Sequence, residues 1–295
     1  MVHTPVLLHE VIRALDPKPN ENFIDGTLGG GGHAIEILKR IAPRGRLLAI
    51  DRDDVAIDRF RNTIVGTGFE ERVVLVRGDF ANVVEHMERM SFPRANGMVL
   101  DLGFSSYQLE DGRGMSFQRD EPLIMRYERD AEETAAHIVN SYSEADLADI
   151  IFQNGDERYA RVIARNIVAA RKKERILTSG QLVRIIENSV PKGYERGRIH
   201  PATRTFLALR IVANHERESL TQVLESLPRV VSSGGRVAII SFQSVEDALV
   251  KKSFREYQKA GIAALLFKKP LIPSTAEVAE NPRSRSAKLR VAHFK

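Results

Sequence analysis

Phe23-Ile-Asp-Gly-Thr-Leu-Gly-Gly-Gly-Gly-His33 places an acid at the end of a short apolar run, then a glycine-rich turn, then the start of a helical pattern. Glycine is needed where backbone must approach a ligand with no Cβ in the way, and the helix that follows offers free N–H groups at its N-terminus. The stretch also satisfies the loose dinucleotide pattern G-x-G-x-x-A through Gly29, Gly31 and Ala34, so a nicotinamide-dependent oxidoreductase fits it as well. A purely structural glycine turn is the third reading.

Outward from this turn, residues 22–25, 46–51, 72–77 and 97–102 read as short strands. Helical patterns separate them, such as 33–41 with Ala34, Ile37 and Leu38 on one face. This alternation predicts a doubly wound α/β fold, a parallel sheet covered by helices on both faces. Asp25, Asp51, Asp79 and Asp101 then lie along the carboxyl edge of the sheet, where open α/β folds bind their ligands. Asp51 can accept hydrogen bonds from both ribose hydroxyls of an adenosine. Gly78-Asp79-Phe80 offers a polar group and a ring for an adenine, and Asp101-Leu-Gly-Phe-Ser-Ser106 stands where a reacting group would lie. An acid at every strand end favours a cationic nucleoside methyl donor over a dinucleotide, whose pyrophosphate would face carboxylates.

After Leu109 the pattern changes. Residues 110–130 are rich in charge and glycine, and helical segments follow at 143–153, opened by Ser143 with Asp146 in a capping arrangement, and at 156–173, with Val162, Ile163 and Ile167 as an apolar stripe. The expected organisation is a helical domain over 109–199 inserted into a core made of 1–108 and 200–295. Arg161, Arg165, Arg171, Lys172, Lys173 and Arg175 decorate the insertion and read equally as a solvated face or an RNA-facing one. Beyond it, 204–227 reads as one helix, Ser232-Ser-Gly-Gly235 as a turn, 236–242 as a buried strand, and 264–272 and 287–294 as two closing strands.

At 295 residues with 43% hydrophobic and 28% charged side chains, the chain can hold a large core and a smaller companion. No run approaches the roughly 20 apolar residues of a membrane span, and the first ten residues do not lead from a basic region into an apolar one. The expectation is a cytoplasmic protein with no membrane contact. The absence of cysteine excludes disulfides and thiolate metal sites, and the eight histidines show no pair at ligand spacing, so no metal is expected. Lys and Arg outnumber Asp and Glu by 44 to 39, a net charge of +5 that favours polyanions where it is clustered.

Seven separated motifs carry a resemblance over nearly the whole chain. They are His3-Thr-Pro-Val-Leu-Leu, Asp25-Gly-Thr-Leu-Gly-Gly-Gly-Gly-His33, Ala49-Ile-Asp-Arg-Asp53, Leu100-Asp-Leu-Gly-Phe-Ser-Ser106, His200-Pro-Ala-Thr-Arg-Thr-Phe206, Ile240-Ser-Phe-Gln-Ser244 and Asn281-Pro-Arg-Ser-Arg-Ser286. In this order they resemble the bacterial small-subunit ribosomal RNA cytosine-N4 methyltransferase family, of MraW or RsmH type. The resemblance implies a class I methyltransferase Rossmann-like sheet of seven strands, the last one antiparallel, with an inserted helical substrate-recognition domain. It implies S-adenosylmethionine as methyl donor and the N4 amine of a decoding-centre cytidine in 16S rRNA as acceptor. The partner would be the small ribosomal subunit or its late precursor, and a homodimer is compatible with it.

By matching positions, the donor contacts would be Asp25, Gly31, Gly32, His33, Asp51, Phe80, Asp101 and Gln108. Asp101 would also accept a hydrogen bond from the acceptor amine, with Ser105 and Ser106 holding the base. Arg113, Arg126, Arg204, Arg283 and Arg285 are the first candidates for RNA phosphates; Arg119, Arg196, Arg198, Lys288 and Arg290 extend that set. Two departures stand out. The family usually has Asp-Met-Arg-Met where this chain has Ile124-Met-Arg-Tyr127, and Ser-Phe-His-Ser where it has Ser241-Phe-Gln-Ser244. Both remove titratable groups, which keeps a non-catalytic or altered-specificity RNA-binding relative as the alternative reading, ahead of the oxidoreductase.

Overall fold

The structure is a computed structural model that describes residues 5–103, 108–109, 111–128, 133–194 and 199–295. Strands β1 (Phe23–Asp25), β2 (Leu47–Asp51), β3 (Val73–Arg77) and β4 (Ala95–Asp101) form where the sequence is a short aliphatic run, and three of the four end in or next to an acid. In β1, β2 and β4 the run is continuous because both faces of the sheet are covered. Alternate residues feed two separate apolar layers. Ile24, Leu48, Ile50, Met98 and Leu100 meet Val83, Leu224 and Phe254 of helices Val83–Arg89, Glu216–Val230 and Ser244–Lys259. Their neighbours Phe23, Leu47, Ala49 and Val99 meet Val11, Ile37 and Phe60 of helices Leu8–Leu15, Gly32–Arg40 and Asp54–Ile64. Period two within a strand thus becomes a doubly wound sheet.

Three further strands, β5 (Val231–Ser241), β6 (Ala263–Leu265) and β7 (Lys288–Phe294), complete a seven-stranded sheet of order β3-β2-β1-β4-β5-β7-β6. The contacts β1–β2, β1–β4, β2–β3 and β4–β5 are parallel, and β7 is antiparallel to both its neighbours. The fold is the expected one. Chain order reverses on the two sides of β1 and β4, which opens the crevice where such sheets take ligands.

Three local readings differ. The turn at 232–235 is a bulge inside β5: pairing with β4 jumps from Ala95↔Val231 to Gly97↔Arg236. The closing strand expected over 264–272 stops at Leu265, and further on only a single bridge forms at Leu271, flanked by Pro270 and Pro273, which cannot donate to a ladder. The helix expected over 204–227 is two helices, Thr203–Ala213 and Glu216–Val230, separated where His215 takes a left-handed φ of 51°.

The chain divides into two compact units, residues 1–105 with 217–295, and residues 106–216. The second unit extends beyond the 109–199 read from sequence because helix Thr203–Ala213 contributes Phe206, Leu209 and Ala213 to its core. That core also holds Leu147, Ile151, Ile163, Ile167, Leu182 and Ile186 from helices Glu144–Gly155, Ala160–Arg171 and Ser179–Glu187. Ser143 caps the first of these, accepting from the Asp146 N–H at 3.1 Å. No described helix is long and apolar enough to cross a membrane.

Candidate active site at the carboxyl edge of the sheet

The end of β1 is tied to the ends of both its neighbours. The Asp25 carboxyl accepts from Thr27 N–H (3.1 Å), and the Thr27 hydroxyl accepts from Asp101 N–H (2.6 Å), joining β1 to β4. On the other side the Asp51 carboxyl accepts from Gly29 N–H (2.7 Å) and Asp53 N–H (2.9 Å), which pins the glycine turn to β2. Gly31 caps helix Gly32–Arg40 with φ 75°, and a Cβ there would come within 2.2 Å of the Phe60 ring, so neither the backbone nor the space admits another residue. The turn is therefore rigid before any ligand arrives.

His33 follows in the first turn of that helix and is buried. Its Nε2 lies 3.1 Å from the Val6 carbonyl, an acceptor, which places the proton on Nε2; its Nδ1 stands 4.0 Å from Asp101 Oδ2. The Leu7 N–H donates to Glu277 Oε1 at 2.7 Å, so helix Thr275–Glu280 holds the N-terminal segment next to His33. Phe80, half-buried, opens a 3₁₀ turn after β3, capped by Asp79, whose carboxyl also takes the Ser219 hydroxyl (2.6 Å) and lies 3.3 Å from Arg52.

Asp101 is the most unusual group at the edge. Its Oδ1 is buried and has no hydrogen-bond partner among the described residues. Burial first, then the nearby charges of Asp25 and Glu246, push its carboxyl up to about 8. Burial raises Asp25 to about 7 against the opposing Thr27 N–H, and Asp51 to about 6 against the N–H groups of Asp53 and Gly29. Among the described residues neither Asp25 nor Asp101 has a lysine or arginine ion pair, which fits a ligand that brings its own positive charge. Among the described residues no group of histidine and acidic side chains could hold a metal ion.

The expected residues Asp25, Gly31, Gly32, His33, Asp51, Phe80 and Asp101 are all carried by the turns and strand ends of this edge. Gln108 is buried in the helical unit, and Ser105 and Ser106 lie outside the described residues, as do Arg196 and Arg198. Glu246 was not anticipated. Buried in the first turn of helix Ser244–Lys259, it accepts the N–H groups of Phe242 (3.0 Å) and Gln243 (3.1 Å), and its spacing three residues after Gln243 is the capping signal that could have marked it.

Several arginines expected at RNA do other work. Arg113 is 4% exposed, pairs with Asp111 (2.6 Å) and donates to the carbonyls of Arg126 and Tyr127. Arg126 is 8% exposed and donates to the Ala213 carbonyl and to Glu128. Both tie the glycine-rich loop into the helical unit, a task that a charged, loop-like sequence does not reveal. Arg204 donates to the Asp156 carbonyl at 2.5 Å, and Arg290 and Lys288 share Asp247 at 2.7 and 3.5 Å. Arg283 and Arg285 are exposed on the 3₁₀ turn Pro282–Ser286 before β7.

A family model described as the MraW methylase family matches residues 1–295. The Ribosomal RNA small subunit methyltransferase H of Persephonella marina is 42% identical over 290 residues, covering 98% of this chain and 98% of its own. That of Geotalea uraniireducens is 44% identical over 306 residues, covering 98% and 97%. A crystal structure of an rRNA methylase from Streptococcus thermophilus aligns with a TM-score of 0.46 at 10% identity, covering 100% of this chain and 98% of the other.

Proposed function

The chain belongs to the MraW methylase family, and we propose on that basis that it methylates the N4 amine of a cytidine in 16S rRNA at the decoding centre, within the small ribosomal subunit or its late precursor. The observation that carries the chemistry is the buried Oδ1 of Asp101, which has no hydrogen-bond partner among the described residues, beside the glycine turn. S-adenosylmethionine supplies an electrophilic methyl group on a cationic sulfur. The neighbouring carboxyls of Asp25 and Asp101 fit that cation, beside a glycine turn that Phe60 and Pro5 hold in place at Gly31 and Gly32. Asp51 is the acceptor for the ribose hydroxyls, each of its oxygens having a lone pair beyond the N–H it already accepts. Phe80 serves the adenine. Asp25 and His33 support the site from its floor, and Gln108 keeps the donor role that the resemblance gives it.

Cytosine N4 is a weak nucleophile because its lone pair is delocalised into the ring, so alignment and a hydrogen-bond acceptor for the amine supply much of the acceleration. Asp101 Oδ1 accepts that hydrogen bond and takes the proton that N4 sheds as the new N–C bond forms and the methyl–sulfur bond breaks. The Nε2–H of His33, held on the Val6 carbonyl, keeps Nδ1 directed at the other oxygen of Asp101. No covalent link to the protein is required. Arg283 and Arg285 are the exposed candidates for RNA phosphates.

The test is transfer of label from tritiated S-adenosylmethionine to small subunits lacking the modification, mapped by nuclease digestion and mass spectrometry. Label on one cytosine N4, lost in Asp101→Ala with donor binding still measurable, is the expected result. Donor binding by the unaltered protein without label on any rRNA would point instead to the non-catalytic relative.

A further inference from the structure

β4 and β5 leave the sheet side by side, Asp101 pairing with Ile240 and the Leu102 N–H donating to the Ile240 carbonyl at 2.9 Å. The last β5 residue in a ladder is Ser241, opposite Lys288 of β7. Phe242 is therefore the first residue beyond both ladders, and its N–H would be left without a partner. Glu246 supplies one, and accepts the next N–H as well, so two charge-assisted bonds fix the backbone that carries the ring.

The ring is half-buried, seated on the apolar layer that contains Val99 and Ile240, with the remainder open. The turn leaving β4 passes beside it at Gly103, whose φ of 116° excludes ordinary side chains and where a Cβ would lie 3.6 Å from ring atom Cδ2. A rigid, partly open aromatic surface thus adjoins the strand end that bears Asp101. The glycine turn, Asp51 and Phe80 occupy the β1–β2–β3 part of the edge. The β4–β5 part is what remains for the acceptor.

Resting on the methyl-transfer reading above, we infer that Phe242 is the platform on which the acceptor base stacks, with Glu246 as the positioning residue that fixes it beside Asp101. A base taken out of its own stack loses stacking that an aromatic side chain restores, and any pyrimidine offers the π-face required. Stacking on the ring leaves the exocyclic amine free to meet Asp101 edge-on.

The experiment compares Phe242→Leu and Phe242→Trp with the unaltered protein, using unmodified small subunits as acceptor and measuring donor affinity and thermal unfolding in parallel. Leucine fills the seat on the apolar layer but has no π-face. Its kcat/KM for subunits should fall about 10- to 100-fold, in the range seen when a base-stacking ring is removed. Donor Kd and unfolding temperature should hold, and tryptophan should keep most of the activity. Wild-type kcat/KM in the leucine variant overturns the inference, as does a donor Kd that weakens in step with the rate. Failure of the unaltered protein to label subunits overturns the methyl-transfer reading, and the inference with it.

Discussion

Buried charge is handled in opposite ways at two places, the Arg210–Glu216 pair of the helical unit and the carboxyl edge of the sheet. In the helical unit Arg210 and Glu216 form a two-pronged pair at 2.8 and 2.9 Å, and the Tyr127 hydroxyl donates to the same Glu216 at 2.9 Å. Arg113 likewise meets Asp111. At the carboxyl edge of the sheet, burial and the charges of Asp25 and Glu246 raise Asp101, whose Oδ1 has no hydrogen-bond partner among the described residues. Pairs satisfied within the chain serve the fold. A cluster of one sign is costly to the empty protein and is compensated when an oppositely charged ligand arrives.

The sharpest way to break this comparison is Asp101→Asn. It removes the acid while keeping the shape, so methyl transfer should fall about 100- to 1000-fold, the scale of losing one electrostatic stabiliser of a reaction. Stability should move the other way. The Asp25, Asp51 and Asp101 carboxyls hold protons in the folded chain at pH values where an unfolded chain, with carboxyls near 3.8, has released them. Stability of the ligand-free protein therefore falls as pH rises from about 4 towards 8. Asparagine at 101 removes one part of that loss, raising the unfolding temperature at pH 8.5 by about 2–4 °C, the shift that roughly 1 kcal/mol produces in a domain of this size. An unchanged or lowered unfolding temperature at that pH would show that Asp101 is stabilising and the contrast false.

Arg210→Leu probes the other side. Removing one partner leaves Glu216 buried against Tyr127 alone, and should cost about 3 kcal/mol, measured by denaturant unfolding. A loss under about 0.5 kcal/mol, the level of a surface pair, would mean that the pair does not hold the helical unit together.

The same contrast explains what the sequence made legible. Asp25, Asp51 and Asp101 could be read because a buried parallel strand is a continuous apolar run, and an acid at its end is conspicuous. Gly31 could be read because its turn has a pattern. Glu246 escaped because nothing near Gln243 in sequence says that Asp101 lies beside it; that follows only from the β4–β5 pairing. The link from Leu7 to Glu277 joins residues 270 apart and has no local sign. Arg113 and Arg126 read as RNA contacts because charge within a glycine-rich loop reads as exposed, while in the fold they satisfy carbonyls of the loop and of the end of helix Thr203–Ala213. Gln243, where the family usually has histidine, stands at the cap of helix Ser244–Lys259 with its N–H on Glu246. Ile124 is half-buried in the helical unit, its carbonyl accepting from Ala135 N–H.

The fit of the Asp25 and Asp101 carboxyls to a cationic ligand is the property on which the methyl-transfer reading turns. It is tested most directly by calorimetric titration of S-adenosylmethionine and of its demethylated product, S-adenosylhomocysteine, whose sulfur is neutral, between pH 6 and 8.5. With Asp25 near 7 and Asp101 near 8 in the free protein, the cationic donor must drive protons off the cluster. Its affinity should rise about tenfold across this range with measurable proton release, and that of the product with its neutral sulfur should change far less. Equal pH dependence for the two ligands, or no proton release with either, would contradict the account.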